Sequence, residues 1–236
     1  MSAPSSASPS PIRGLFVTGT DTGVGKTVVA GAIVAALRAR SERVAAFKPV
    51  VTGLDEPVVP GWPRDHELLA AAAGAGARAV TSRTFGPPVS PHLAAELAGV
   101  ELHIDAMVCA AHAAAAEAEA DVLVVEGVGG LLVPLTRNHT VRDLAVALGF
   151  PLVVAARPGL GTISHSLLTV EAARCAGLAV AGVVMTPWPE PPSVMAKSNR
   201  ETVARLGTLE VATLGRLPDG SPASLAAGGA TLPRWV

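Results

Sequence analysis

The sequence predicts an α/β domain in which a mostly parallel central sheet carries helices on both faces. Three observations predict it. Short apolar runs alternate along the chain with longer helical patterns, as in repeated strand–helix–strand units. The runs are continuously apolar rather than alternating in polarity, which is how strands covered on both faces read. The first of them, "GLFVTG", leads into a glycine-rich turn and then a long helical stretch. A chain of 236 residues, half of them hydrophobic, can build one such domain around a large core. Aromatic residues make up only 3% and tyrosine is absent, so Ala, Val and Leu must fill that core.

Taken in order, residues 14–19 form the first strand, and the proline-free run 26–40 forms the first helix. The second strand is "RVAAFKPV" at 43–50. Residues 51–64 hold Pro57, Pro60, Gly61 and Pro63 and read as a long loop, a feature more often functional than idle in a compact domain. Helices follow at 65–73 and 104–118, the second running into the Ala-rich tract "AAHAAAAEAEA" (110–120), whose composition suits a helix surface. Then come a strand at 121–127 ("DVLVVEG"), a helix at 140–148 and a strand at 151–156 ("PLVVAA"). The helix at 162–176 is closed by Gly177 in the C′ position. A strand at 178–185 ("LAVAGVVM") precedes a helix at 193–206 with Ser193 as its N-cap, and residues 211–217 form the last strand. No internal repeat or domain linker interrupts this order.

The formal net charge of −1 gives no sign of a nucleic-acid or anionic-membrane surface. Cys109 and Cys175 stand alone, without the paired spacing of a zinc site or disulfide framework, which fits a reducing cytosol. The opening "MSAPSSASPSPIR" has neither a basic nor an apolar signal region, so residues 1–11 read as a disordered Ser/Pro/Ala tail before one domain at 12–236. No apolar run reaches the roughly 18 residues of a membrane span. The expectation is a soluble cytoplasmic protein.

"GTDTGVGKT" at 19–27 approaches the phosphate-binding pattern G-x-x-x-x-G-K-[ST], but its first glycine stands one place early and Thr20 fills the usual position. Between a strand and a helix, Gly23 and Gly25 let backbone N–H groups turn toward phosphate oxygens. Lys26 supplies a charge to the β- and γ-phosphates, and Thr27 a hydroxyl to Mg²⁺. Glu126 ends the "DVLVVEG" strand where a magnesium nucleotide needs a carboxylate, and the following "GVGG" permits close backbone approach. Asp65 opens a helix after the long loop and reads equally as a metal ligand or as a simple N-cap. Of 18 basic residues only three are lysine, Lys26, Lys48 and Lys197, so lysine is used where arginine will not serve. Lys48 ends the second strand on the edge where Lys26 lies, and two lysines at one nucleotide suit a phosphoryl transfer.

Together these residues resemble the dethiobiotin synthetase family, enzymes that close the ureido ring in biotin synthesis. That family's loop has the form G-T-D-T-x-x-G-K-T, so the displaced glycine is a family variant. The resemblance covers about residues 12–220 and recurs in order through "KPVVTG" (48–53), Asp65, "SPH" (90–92), "VEGVGG" (125–130) and "GLGTISH" (159–165). It implies a P-loop NTPase-like fold and an ATP- and Mg²⁺-dependent ligase acting on 7,8-diaminopelargonate and CO₂, through a carbamate and a carbamic–phosphoric anhydride. The implied nucleotide-binding set is Thr22, Gly23, Val24, Gly25, Lys26, Thr27, Thr186 and Pro218. Thr27, Asp65 and Glu126 would hold Mg²⁺, and Lys26 and Lys48 would be catalytic. Lys48 and Thr52 would face the substrate. Members are homodimers in which Gly161, Thr162 and Ser164 of one subunit receive the substrate's tail carboxylate at the other.

Three positions depart from the family pattern. Ser164 replaces a common asparagine, Gly23 replaces an acidic residue found in some members, and Thr186 replaces an asparagine that reads adenine. Two other classes share the loop: a partition or site-selection ATPase switch, and a related amidating synthetase. The switch carries a lysine where this chain has Asp21, and the synthetase usually carries a glutaminase domain.

Overall fold

Six strands form one sheet in the order β2-β3-β1-β4-β5-β6, every neighbouring pair parallel. The computed structural model describes residues 12–236, and the tail expected over 1–11 lies outside the described residues. In chain order the elements are β1 (Arg13–Gly19), α1 (Lys26–Ala39), β2 (Val44–Phe47), α2 (Asp65–Ala73), α3 (Ala77–Val80), α4 (Pro91–Leu97) and α5 (Ile104–Glu117). They continue with β3 (Val122–Glu126), α6 (Val141–Leu148), β4 (Leu152–Ala156), α7 (Thr162–Cys175), β5 (Val180–Trp188), α8 (Val194–Gly207), β6 (Val211–Gly215) and α9 (Pro222–Gly229). Every residue of β2, β3 and β4 is buried, which accounts for their unbroken apolar sequences.

Alternate side chains of each strand serve opposite cores. Leu15, Val17, Val124 and Val153 pack under α1, α2 and α9. Phe16, Leu123, Val125 and Leu152 pack against α5 and α6 on the other face, where Val154, Val183 and Met185 extend the contact to α7 and α8. Register brings the carboxyl ends to one edge: Val17 lies beside Glu126, Phe47 beside Val125, and Gly19 beside Ala155. Lys48, one residue past Phe47, is therefore level with Glu126.

The α1–α9 contact is made of small residues. A Cβ on Gly229 would come 2.0 Å from the Ala32 carbonyl oxygen, and one on Gly31 would come 2.5 Å from Leu68 Cδ2. Gly229→Ala must push two helix backbones apart and is expected to cost about 1–3 kcal/mol, in the range of overpacked cores. Gly76→Ala, where nothing lies within 4 Å, is the control. Urea midpoints that match for the two variants would contradict this packing.

Several expected boundaries shift for identifiable reasons. The second strand stops at Phe47 rather than 50, because the chain leaves the sheet at Lys48–Pro49 and the Lys48 N–H bonds the Val80 carbonyl at 2.8 Å. β5 runs to Trp188, three residues further than expected, and resumes pairing with β6 at Gly215 after an irregularity. Helices α4 and α9 were not expected. Each starts with Ser-Pro, the serine as N-cap and the proline in the first turn, a helix start easily mistaken for a loop. Gly177 (φ 79°) closes α7, and Ser193 caps α8 by accepting from the Ala196 N–H at 3.1 Å, both as expected. Among the described residues no helix is long and apolar enough to cross a membrane.

Candidate active site

At the end of β1 the chain turns through residues 19–27 into α1. Gly23 and Gly25 adopt φ of 68° and 93°, a region that strains any residue with a side chain. Gly19 meets a different need. A Cβ there would lie 2.8 Å from Val24 Cγ2 and 3.0 Å from Lys26 Cγ, so the early glycine leaves room for Val24 and the lysine stem to fold over the strand end. Lys26 is buried, and its Nζ donates to the Asp21 carbonyl at 2.9 Å. Burial draws its pKa below the ordinary lysine value despite the attraction of Glu126. Gly25 is the N-cap of α1 and offers no side-chain acceptor, which leaves the first-turn N–H groups available to an anion.

Beside this loop stands a charged cluster. Lys48, 3% exposed, places Nζ 2.5 Å from Asp65 Oδ2 and 2.6 Å from Glu126 Oε1. Thr27 donates its hydroxyl to the same Glu126 oxygen at 2.9 Å. Glu126 is fully buried, and its Oε2 has no hydrogen-bond partner among the described residues. Burial pushes the Glu126 pKa up, with Lys48 opposing. Burial would lower Lys48, yet Glu126 and Asp65 outweigh it and hold the ammonium charged. Asp65 is not an N-cap: it is the first helical residue of α2 after Arg64, whose N–H is accepted by Glu67 at 3.1 Å. Its carboxylate turns to Lys48 instead, and against the cost of burial Lys48 keeps its pKa low.

The other expected site residues lie around this centre. Thr186 is buried, and its Cγ2 lies 2.7 Å from where a Cβ on Gly25 would stand. Thr22 and Gly23 are exposed at the loop's start, and Val24 is buried beneath it. Thr52 is half-buried in the loop after β2, and Pro218 is exposed between β6 and α9. Gly161 is the N-cap of α7, with φ 89° and no capping side chain, and Ser164 is exposed in its first turn. Thr162 is turned inward. Its hydroxyl lies 3.4 Å from Ser166 Oγ and its N–H bonds the Gly159 carbonyl at 3.3 Å, which leaves Gly161 and Ser164 the more available. The hydrogen bonds of the described residues unite Lys48, Asp65, Glu126 and Thr27, but join neither Thr52, Pro218 nor Ser164 to them.

Sequence reasoning missed two polar residues here. Arg157 follows β4 on the ligand edge and donates to the carbonyls of Thr22 (3.2 Å) and Gly23 (3.4 Å). Asn199 of α8, 6% exposed, donates to the carbonyls of Pro158 (3.0 Å) and Gly159 (3.1 Å). Arg157 was within reach of the argument that selected Lys48, a cation just past a strand on the ligand edge. Asn199 carried no such signal.

Comparison with known proteins follows the same lines. Residues 13–224 match a family described as "AAA domain". The ATP-dependent dethiobiotin synthetase of Anaeromyxobacter dehalogenans is 50% identical over 83% of this chain and 86% of its own length. That of a Mycobacterium species is 38% identical over 94% of this chain and 97% of its own. A ParA family ATPase from Chlorobium tepidum superposes with a TM-score of 0.52 at 10% identity over 94% of this chain and 92% of its own, a likeness of fold alone. With identity of that order over most of both chains, the chain belongs to the family of ATP-dependent dethiobiotin synthetases.

Proposed function

We propose that the chain is a ligase that uses ATP to build the ureido ring of dethiobiotin from 7,8-diaminopelargonate and CO₂. The observation that carries this reading is the cluster of Lys48, Asp65, Glu126 and Thr27 beside the Lys26 loop, in a chain of this family. Phosphate release with MgATP and bicarbonate, with and without the diamine, tests it directly. Strict dependence on the diamine is expected, and equal release without it would overturn the reading. The reaction belongs in the cytoplasm, among small molecules.

In this reading a substrate amine takes up CO₂ as a carbamate, whose oxygen attacks the γ-phosphorus and expels ADP. The neighbouring amine then closes on the carbonyl of the mixed anhydride and expels phosphate. Thr22, Gly23, Val24 and Gly25 cradle the phosphates, and Lys26 and Lys48 meet the charge that develops on the migrating group. Thr52, half-buried in the loop after β2, would face the diamine. Mg²⁺ suits the donors present, two carboxylates and a hydroxyl, and the buried unpartnered Oε2 of Glu126 is the acceptor a cation would satisfy. Thr27, Asp65 and Glu126 would hold it, and it would neutralise triphosphate charge. Glu126→Gln should keep the fold and shift the magnesium dependence of activity to higher concentration, since the amide lacks the charge. An unchanged magnesium titration would remove Glu126 from the ligand set.

The α7 N-terminus, through Gly161 and Ser164, would receive the tail carboxylate in a neighbouring subunit of a homodimer, while Thr162, with its N–H on the Gly159 carbonyl and its hydroxyl toward Ser166, would frame the turn. Leu160 and Leu168, 94% and 61% exposed, flank that terminus and suit coverage by a second copy. Lys48→Ala and Gly161→Trp chains, each nearly inactive, should partly rescue one another when mixed. No recovery in a verified heterodimer would mean that each site is built from one chain.

At the base, Thr186 would offer one hydroxyl where an amide pair would read adenine, and Pro218 would be a further contact. Strong rejection of a wrong ligand needs polar groups that the ligand would leave unpaired. CTP and GTP are therefore expected to support turnover at rates comparable to ATP, measured as kcat/KM for the four common triphosphates. A preference for ATP above roughly a hundredfold would show that adenine is still read. The rival switch reading loses support at Asp21, and it shares with this chain only the fold.

A further inference from the structure

Gly23 carries no side chain, and in this fold the space beside it is not idle. The Nη2 of Arg157 lies 3.3 Å from where a Cβ on Gly23 would be, and it donates to the carbonyls of Thr22 and Gly23. A side chain at position 23 would crowd this guanidinium. Among the described residues Arg157 has no carboxylate within 4 Å, so a cation without a counter-charge sits against the phosphate loop. Its own backbone is fixed from the far side. Pro158 and Gly159, the next two residues, give their carbonyls to the buried amide of Asn199 on α8. A continuous path of hydrogen bonds thus runs from α8 through residues 157–159 to the start of the loop.

We infer that Arg157 is a positioning residue of the nucleotide loop, paired with the absence of a side chain at Gly23. A peptide unit points its C=O and N–H in opposite directions. Holding the Thr22 and Gly23 carbonyls toward the guanidinium turns the N–H groups of Gly23 and Val24 away from it, into the cradle. The cradle of such a loop grips mainly the α- and β-phosphates, which ADP and ATP share. Arg157 therefore strengthens the grip on both nucleotides alike and does not touch the phosphoryl group that moves. Asn199 serves the same end indirectly, by setting the strand exit from which Arg157 reaches back.

This rests on the nucleotide reading of the loop, which binding of MgATP to the unaltered protein tests on its own. Arg157→Ala and Arg157→Lys are compared with it by equilibrium binding of ATP and ADP and by steady-state kinetics with the diamine. For Arg157→Ala the dissociation constants of ATP and ADP should both rise by about five- to tenfold, the scale of one charge-assisted contact. The KM for the diamine, the kcat and the thermal midpoint should stay near those of the unaltered protein. Arg157→Lys should recover part of the affinity. Asn199→Asp, which replaces the donating amide by oxygen facing two carbonyls, should weaken both nucleotides in the same ratio to one another. Unchanged nucleotide affinity in Arg157→Ala would overturn the inference. So would a loss confined to ATP, or a fall in kcat at constant affinity, since either would mean that the guanidinium acts on the γ-phosphoryl group itself.

Discussion

Lys48→Ala is expected to lower turnover with MgATP, bicarbonate and diamine by about 10²–10³, the usual cost of removing one preorganised charge aimed at a transition state. Two effects compound in this variant. The ammonium that would meet the migrating phosphoryl group disappears, and Asp65 and Glu126, now 2.5 and 2.6 Å from that ammonium, lose their shared counter-charge. Glu126 is the more exposed to this loss because burial already raises its pKa, so without the lysine it is drawn further toward its neutral form. Lys197→Ala, on the exposed surface of α8, should change nothing and serves as the matched control. Activity of Lys48→Ala within a few-fold of the unaltered protein would remove Lys48 from the chemistry.

Lys26→Ala should be as damaging in rate, about 10²–10³, yet distinguishable from Lys48→Ala in how the loss divides. Lys26 belongs to the nucleotide loop itself, where its Nζ rests on the Asp21 carbonyl. Its loss should raise the ATP dissociation constant as well as lower kcat, whereas Lys48→Ala should fall mainly in kcat. Arginine is no substitute at position 26. The lysine stem folds against Gly19 with Cγ and Cδ 3.0 and 3.1 Å from where a Cβ would stand, and a planar guanidinium cannot take the place of a compact ammonium there. Single-turnover rates at saturating ATP, set beside equilibrium binding, separate the two variants. Equal ATP affinity for Lys26→Ala and the unaltered protein would contradict the role given to the loop lysine.

The strands were legible because a parallel sheet covered on both faces writes itself as unbroken apolar runs, and "DVLVVEG" and "PLVVAA" are such runs. Lys48 and Glu126 were legible for a related reason. Both stand at strand ends, and register alone makes them neighbours. What escaped depends on the third dimension. Helices α4 and α9 are short and begin with Ser-Pro, so local chemistry points to a turn as readily as to a helix. Asp65 could be read as a cap or a ligand until its carboxylate was seen on Lys48, 17 residues away. The reach of Arg157 to Thr22 spans 135 positions and depends on a missing side chain at Gly23, which no local pattern announces.

The strand order has a consequence for how the molecule is made. β1 precedes the other five strands of the described sheet in the chain, yet it lies inside the sheet, between β3 and β4. Its partners are separated from it by more than a hundred residues, as Arg13 beside Val122 and Phe16 beside Leu152 show. Until β4 has emerged, the nascent β1 has an unsatisfied edge on at least one side, and the loop that follows it has no wall to lean on. Contacts so distant in sequence slow folding, because the chain between them must be ordered before they reward it. The nucleotide loop is compact in sequence, yet its walls on β3 and β4 arrive only after more than a hundred further residues.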